Sequence, residues 1–240
     1  GSDLLKRKYL PGLVRGELVG CMGMTEPCAG SDAVGGMATT ARRVDDTYVL
    51  NGRKIFITNG PIADVLLVYA KTAPERGSQG ISAFVVEKNF PGFHVAQKME
   101  KMGFRGSPTG ELVFDDCVVP FENRVGAENE GVGVMMSGLD LERAAVCALE
   151  LGIAERALQL SLEYAGMREQ FGHKIGDFQM IQGKLATMYT LTEAMRTFTY
   201  RVLAAGNRVG KGEGGRGEYH KLSAAAILFA AESLNTILNE

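Results

Sequence analysis

The sequence predicts an α+β chain, an antiparallel β-barrel or sandwich domain followed by a partial antiparallel helical bundle. Two observations carry this reading. Up to about residue 125, short runs of strand-forming residues alternate with turn residues. After residue 128 the apolar period changes from two to about 3.6 and keeps that spacing to the end of the chain.

The first strand expected is Glu17-Leu18-Val19-Gly20-Cys21-Met22-Gly23-Met24. Tyr48-Val49-Leu50 and Lys54-Ile55-Phe56-Ile57-Thr58 flank Asn51-Gly52, a strong two-residue hairpin signal, so a turn is predicted there. Val65 to Ala70 and Ile81 to Val86 follow, separated by the polar loop Thr72 to Gly80. The last run is Gly110 to Phe114, reaching Val118-Val119-Pro120. Helical spacing then predicts only helices: about Glu130 to Met167, about Phe178 to Ala205, and about Glu218 to Glu240. Gly206 to Gly217 is glycine-rich and charged and reads as a loop. The break in pattern divides the chain into 17–125 and 126–240. Three long helices read as a bundle cut short, which leaves Leu222, Ala226, Phe229, Leu234 and Leu238 facing water.

The formal net charge of −2 on 240 residues argues against nucleic acid as the main partner. No apolar run approaches the roughly 20 residues that span a bilayer. Gly1-Ser2 looks like a cloning remnant, so targeting is not legible. The cysteines at 21, 28, 117 and 147 form no Cys-x-x-Cys pair and lie far in sequence from His94, His173 and His220. Four reduced thiols are expected, and no metal site.

Glu142 is the most informative position on helical grounds. Steps of three, four and seven residues reach Met135, Leu139, Ala145, Val146, Leu149 and Ile153, all apolar. A lone carboxylate on such a face would be partly desolvated, which raises its pKa and suits a general base. It could equally pair with Arg143 or sit at the wet edge of the stripe. Met24-Thr25-Glu26-Pro27-Cys28-Ala29-Gly30-Ser31-Asp32 follows a strand and offers hydroxyls and backbone N–H groups to a flat polar ring. An ordinary polar turn would look the same. Phe56-Ile57-Thr58-Asn59-Gly60 could be only a strand end. Arg168-Glu169-Gln170-Phe171-Gly172 closes the first long helix, where an arginine either complements the helix dipole or reaches a phosphate.

Together these motifs resemble the acyl-CoA dehydrogenase family, and its isovaleryl-type branch most of all. Ile57-Thr58-Asn59-Gly60, Lys101-Met102-Gly103-Phe104-Arg105-Gly106-Ser107, Gly138-Leu139-Asp140-Leu141-Glu142-Arg143 and Phe178-Gln179 carry the resemblance, which spans about Tyr9 to Asn239. It implies FAD-dependent α,β-dehydrogenation of a short branched acyl-CoA to the 2-enoyl-CoA, with Glu142 as the α-proton base. By the same resemblance Met24, Thr25, Gly30, Ser31, Phe56, Ile57 and Thr58 line the flavin ring. Ser31 also contacts the thioester, and Asp140 and Arg143 contact the CoA moiety. Arg168, Phe171 and Gln179 reach the FAD of a neighbouring subunit, Arg168 at its pyrophosphate. A homo-oligomer, commonly a tetramer, and an electron-transferring flavoprotein as electron acceptor are implied. The compartment would be the bacterial cytoplasm or the mitochondrial matrix.

Departures from the family pattern stand beside this. Residues 1–16 read as the remnant of an N-terminal helical region and a linker, and the family's distal glycine-rich segment and last helix lie beyond Glu240. Many isovaleryl-type members carry a larger residue at the position of Gly133. The alternatives are a dehydrogenase for another short acyl-CoA, an oxidase that passes electrons to oxygen, or a non-catalytic, self-associating fragment. The chain by itself is expected to hold FAD weakly or not at all, to be inactive, and to be oligomeric or partly disordered after about Gly206.

Overall fold

The computed structural model describes residues 1–207 and 217–240, which form two compact units, Gly1–Val134 and Met135–Glu240. The loop expected at Gly206 to Gly217 lies, apart from its ends, outside the described residues.

The first unit opens with helix α1, Asp3–Val14, capped by Ser2, whose hydroxyl accepts from Leu5 N–H at 3.3 Å. Leu5 and Tyr9 bury against Val65, and the Tyr9 hydroxyl donates to Glu87 at 2.7 Å. The strands are β1 Gly20–Gly23, β2 Thr40–Val44, β3 Thr47–Thr58, β4 Val65–Lys71, β5 Ile81–Glu87, β6 Phe93–Lys98, β7 Thr109–Pro120 and β8 Arg124–Val125. They form one sheet in the order β6-β7-β3-β2-β4-β5-β8, with β1 beside β4. The expected β domain is present and mostly antiparallel, but the sheet is not closed into a barrel. Two contacts run parallel, β1 on β4 and the single pair Thr40–Lys71 between β2 and β4. A parallel pair needs a long connection, and the β2–β3 hairpin supplies it between β1 and β4. Tyr48, Leu50 and Ile57 of β3, Leu112 and Phe114 of β7, Leu66 and Val68 of β4, and Phe84 and Val86 of β5 share one core.

The hairpin predicted at Asn51-Gly52 does not exist. Those residues lie inside the 12-residue strand β3, and the true reversal is at Asp45-Asp46, with Asp45 at φ 50°. Asn51 is held by β7 instead: its Nδ2 donates to Asp116 at 2.9 Å, and Asp116 N–H returns a bond of 2.9 Å to its Oδ1. The register shifts between Leu50 and Gly52, marking a bulge. Gly52 is at φ 150°, and a Cβ there would lie 2.7 Å from the Thr39 Cα and 2.4 Å from its hydroxyl. Glycine serves close backbone approach here, not a turn. Gly52→Ala is therefore expected to destabilise the unit by about 3 kcal/mol, from overpacking and backbone strain together. Denaturant unfolding within about 1 kcal/mol of the parent, against ordinary surface scatter, would contradict this. Strands β2 and β6 were not foreseen, since Arg42 and Arg43 in one and His94, Gln97 and Lys98 in the other break the apolar runs.

The second unit contains most of α2, Gly131–Met167, then α3, Gln179–Gly206, and α4, Glu218–Asn239. Ala144, Cys147, Leu151, Ala154 and Leu158 of α2 share a core with Met188, Met195 and Val202 of α3 and Ala226, Ala230 and Ile237 of α4. The region is not purely helical as predicted. Strands β9, Glu169–Gln170, and β10, His173–Lys174, form a small hairpin between α2 and α3. Its loop is Phe171-Gly172, with φ of 53° and 78°, the double left-handed geometry that a tight two-residue hairpin requires. The five α4 residues expected to face water divide differently: Ala226 is buried, Leu222, Phe229 and Leu234 are half-buried, and Leu238 is exposed. By length and composition α4 could cross a membrane, yet Ser223, Ala226, Ala230, Ser233 and Ile237 form a buried stripe along it.

Candidate active site

In the first unit the turn after β1 meets the end of β3. Ile55 N–H donates to the Thr25 carbonyl at 2.9 Å, so the Met24–Ser31 and Phe56–Thr58 segments lie side by side, as expected. The turn is closed by a pair of backbone bonds between Glu26 and Ala29, at 3.0 and 3.1 Å. Met24 and Thr25 are half-buried, while Gly30 and Ser31 are exposed.

Beneath this turn lies an ion pair that the motif reading passed over. Lys54 Nζ donates to Glu26 Oε1 at 2.7 Å and to the Met24 carbonyl at 3.2 Å, and the Lys54 side chain is fully buried. Glu26 also accepts from Ala38 N–H at 2.6 Å and Thr39 N–H at 3.1 Å. Burial alone would raise the Glu26 pKa, but Lys54 and those N–H groups outweigh it and hold the carboxyl below its ordinary value. Burial likewise lowers the Lys54 pKa against the pull of Glu26. The signal was present in β3: Tyr48, Leu50 and Lys54 share one parity, so Lys54 occupies an inward position.

The parity breaks just after it. The pairing of β3 with β7 shifts between Lys54 and Ile57, and Phe56 sits at φ 60°. This bulge turns Phe56 outward, where it is 64% exposed, and returns Ile57 to the core. Of the three ring-lining candidates, Phe56 and Thr58 therefore offer side chains, and the Ile57 side chain belongs to the core.

In the second unit Glu142 is exposed, so the partial burial expected for it is not found. The buried stripe runs instead through Asp140, Ala144, Cys147, Leu151, Ala154 and Leu158. Apolar residues surround α2 on all sides, so a wheel drawn through Glu142 could not tell the buried stripe from the open one. Glu142 makes no ion pair with Arg143. Arg143 turns instead to Asp140, at 3.0 Å, and His220 Nδ1 lies 2.7 Å from the same carboxylate oxygen. Asp140 is buried and Arg143 is about one third exposed.

The β9–β10 hairpin gathers the remaining candidates. Arg168, Phe171 and Gln179 are all exposed. The Arg168 carbonyl accepts from Ile175 N–H at 2.9 Å, closing the base of the hairpin. Phe171, at the tip, is 91% exposed and meets Phe178 edge to face at 6.3 Å. All four cysteines are free, and burial pushes the Cys117 thiol up to about 12. Among the described residues no cluster of His, Cys, Asp and Glu has the arrangement of a metal site.

Two family models match this chain: "Acyl-CoA dehydrogenase, middle domain" over residues 21–117 and "Acyl-CoA dehydrogenase, C-terminal domain" over residues 129–237. The mitochondrial isovaleryl-CoA dehydrogenase of Oryza sativa subsp. japonica is 51% identical over 232 residues, 97% of this chain and 55% of that protein. The mitochondrial 2-methylacyl-CoA dehydrogenase of Solanum tuberosum is 53% identical over 202 residues, 84% of this chain and 49% of that protein. Among solved structures, the butyryl-CoA dehydrogenase of Megasphaera elsdenii superposes with a TM-score of 0.89 at 43% identity, over 97% of this chain and 59% of that one. The chain thus spans about half the length of the curated relatives it matches. From the two family models and these relatives together, the chain belongs to the acyl-CoA dehydrogenase family.

Proposed function

We propose that this chain forms the middle and part of the C-terminal portion of an FAD-dependent dehydrogenase of short branched acyl-CoA thioesters, acting on an isovaleryl-CoA-like substrate. The observation that carries the reading is the Ile55–Thr25 backbone bond, which sets the Met24–Ser31 turn against the outward Phe56. An open aromatic ring, the exposed Ser31 and Thr58, and an uncrowded Gly30 fit a flat ring with a polar edge. Met24, Thr25, Gly30, Ser31, Phe56, Ile57 and Thr58 would hold FAD there, Ile57 through its backbone alone. When bound, FAD supplies the acceptor for the hydride lost from Cβ.

The chain's own residues supply the rest. Glu142 takes the proton from Cα of the thioester, so that a proton and a hydride leave adjacent carbons and a 2-enoyl thioester remains. Ser31 orients the thioester and Arg143 holds the CoA moiety. Gly133, with open space around it, leaves room for a branched acyl group. Arg168, at the base of the exposed hairpin, serves a diphosphate through its fork of donors, and Phe171 and Gln179 flank it. That contact would be to the FAD of a second copy, which would make the working protein a homo-oligomer. An electron-transferring flavoprotein would be the electron acceptor. Similarity to mitochondrial and bacterial relatives is consistent with a mitochondrial matrix or bacterial cytoplasmic home.

The test is an anaerobic absorption titration of the FAD-loaded protein. Isovaleryl-CoA is expected to bleach the flavin band, and a straight-chain acyl-CoA to bleach it more slowly. Failure of every short acyl-CoA to bleach a bound flavin would overturn the proposal, and equal rates would remove the branched-chain preference.

A further inference from the structure

The Asp140 carboxylate is buried, so it is poorly placed to touch a ligand directly. It is well placed to hold other groups. Arg143 Nη1 lies 3.0 Å from its Oδ1, and His220 Nδ1 lies 2.7 Å from the same oxygen. Arg143 is one turn along α2 and His220 is in the first turn of α4. An ionised carboxylate only accepts, so His220 Nδ1 carries the proton and donates. A guanidinium has five N–H donors in a rigid fork, and the bond to Asp140 fixes the plane of that fork. The hydroxyl of Tyr219, next to His220, is buried without a hydrogen-bond partner among the described residues, and burial and the charge of Asp140 raise its pKa, so it stays neutral beside them.

We propose that His220 is a positioning residue for the CoA moiety: it fixes the Asp140 carboxylate, and Asp140 in turn presents the Arg143 fork to the phosphorylated, nucleotide end of the thioester. His220 itself touches neither substrate nor cofactor. The assignment rests on the reading of Arg143 as a CoA contact. It adds that Asp140 acts as a holder, and that the α4 side chain joining Arg143 on it is one that no motif in the sequence marked.

The test compares His220→Phe, which removes the donor, with His220→Asn, whose amide N–H can stand where Nδ1–H stood. Calorimetric binding of coenzyme A to the FAD-loaded protein is measured first. The Phe variant is expected to bind about tenfold more weakly, the order of one charge-assisted hydrogen bond acting through an intermediary, and the Asn variant within about threefold of the parent. Kinetics with isovaleryl-CoA should show the same rise in KM with kcat nearly unchanged. The N-acetylcysteamine thioester, which lacks the nucleotide, should show no change in KM. Unchanged CoA affinity in a folded Phe variant would overturn the proposal. So would equal losses with both thioesters, because that marks a merely structural residue. If the Phe variant does not fold, the Asn variant decides through Asp140→Asn in its background: a positioning role predicts lower CoA affinity there, and unchanged affinity overturns it. Weaker CoA binding on His220→Phe in a protein that dehydrogenates nothing would support this assignment while sinking the proposed activity.

Discussion

Glu142→Gln in the FAD-loaded protein is expected to leave the flavin bound and to slow its reduction by isovaleryl-CoA by about 10²–10⁴-fold, the usual contribution of a general base. Glutamine keeps the length and polarity of the side chain and removes its basicity. Stopped-flow absorbance at the flavin band measures the rate directly. Calorimetric binding of the acyl-CoA to the variant should be close to that of the parent, because the lost group acts on Cα and not on the carrier. A variant that reduces its flavin at a near-parental rate would take the base role from Glu142. A variant that loses flavin or thioester binding in step with its rate would make Glu142 a packing or binding residue. Since Glu142 is exposed on α2 and the Asp140 stripe is buried, the fold should tolerate the change well.

The largest stability effect is expected at Lys54. Lys54→Met fills similar space and leaves the Glu26 carboxylate buried without its counter-charge. Breaking one side of a buried pair costs about 3–5 kcal/mol, a large share of a typical domain's stability. Urea unfolding followed by far-ultraviolet circular dichroism, read against the parent, would measure it. The double variant Lys54→Met/Glu26→Gln should recover much of the loss, since the charge that needed a partner is gone. A single variant as stable as the parent would mean that the Ala38 and Thr39 N–H groups suffice for the carboxylate.

The pH dependence follows from the direction of the Glu26 shift. Its folded pKa lies below the ordinary value of 4.5, so the pair's contribution is full above that value and is lost as pH falls through the lower folded one. In Lys54→Met burial acts on Glu26 without Lys54 to oppose it. The carboxyl then protonates more readily in the folded state, and the stability gap to the parent should narrow on acidification. A gap that widened below the ordinary carboxylate range would contradict the sign of this coupling.

The three long helices were expected within about one residue of their ends, α3 and α4 from a sustained apolar period of about 3.6, while α2 carries apolar residues on every side. Phe178 to Ala205 was expected and Gln179–Gly206 is found. What failed were local decisions that depend on a distant neighbour. Asn51-Gly52 has the composition of a turn, but Asp116 on β7 and the backbone of Thr39 decide its conformation, and neither is near it in sequence. The partial burial of Glu142 was expected from a wheel, yet apolar residues lie on every side of α2, and its packing on α3 and α4 shows which stripe they cover. The Met24–Ser31 and Phe56–Thr58 segments were correctly expected side by side. The pair that anchors them, Glu26 and Lys54, went unremarked because a charged residue inside a strand is normally on its wet face. His220 carried no motif at all. Its partner Asp140 is 80 residues earlier, and only the fold brings them together.

Phe56 has a left-handed backbone, at φ 60°, which a bulky side chain rarely adopts without strain. Glycine or asparagine would occupy that conformation more comfortably. Selection for heat tolerance alone would therefore drift toward a small or amide residue at position 56, and in doing so would erase the outward ring. On the proposed role of Phe56 at the flavin, the end of β3 is thus a point where endurance and ligand contact pull the sequence in opposite directions. Directed evolution that screens only for thermal survival should be expected to lose that ring early, and a library meant to keep it needs position 56 held fixed.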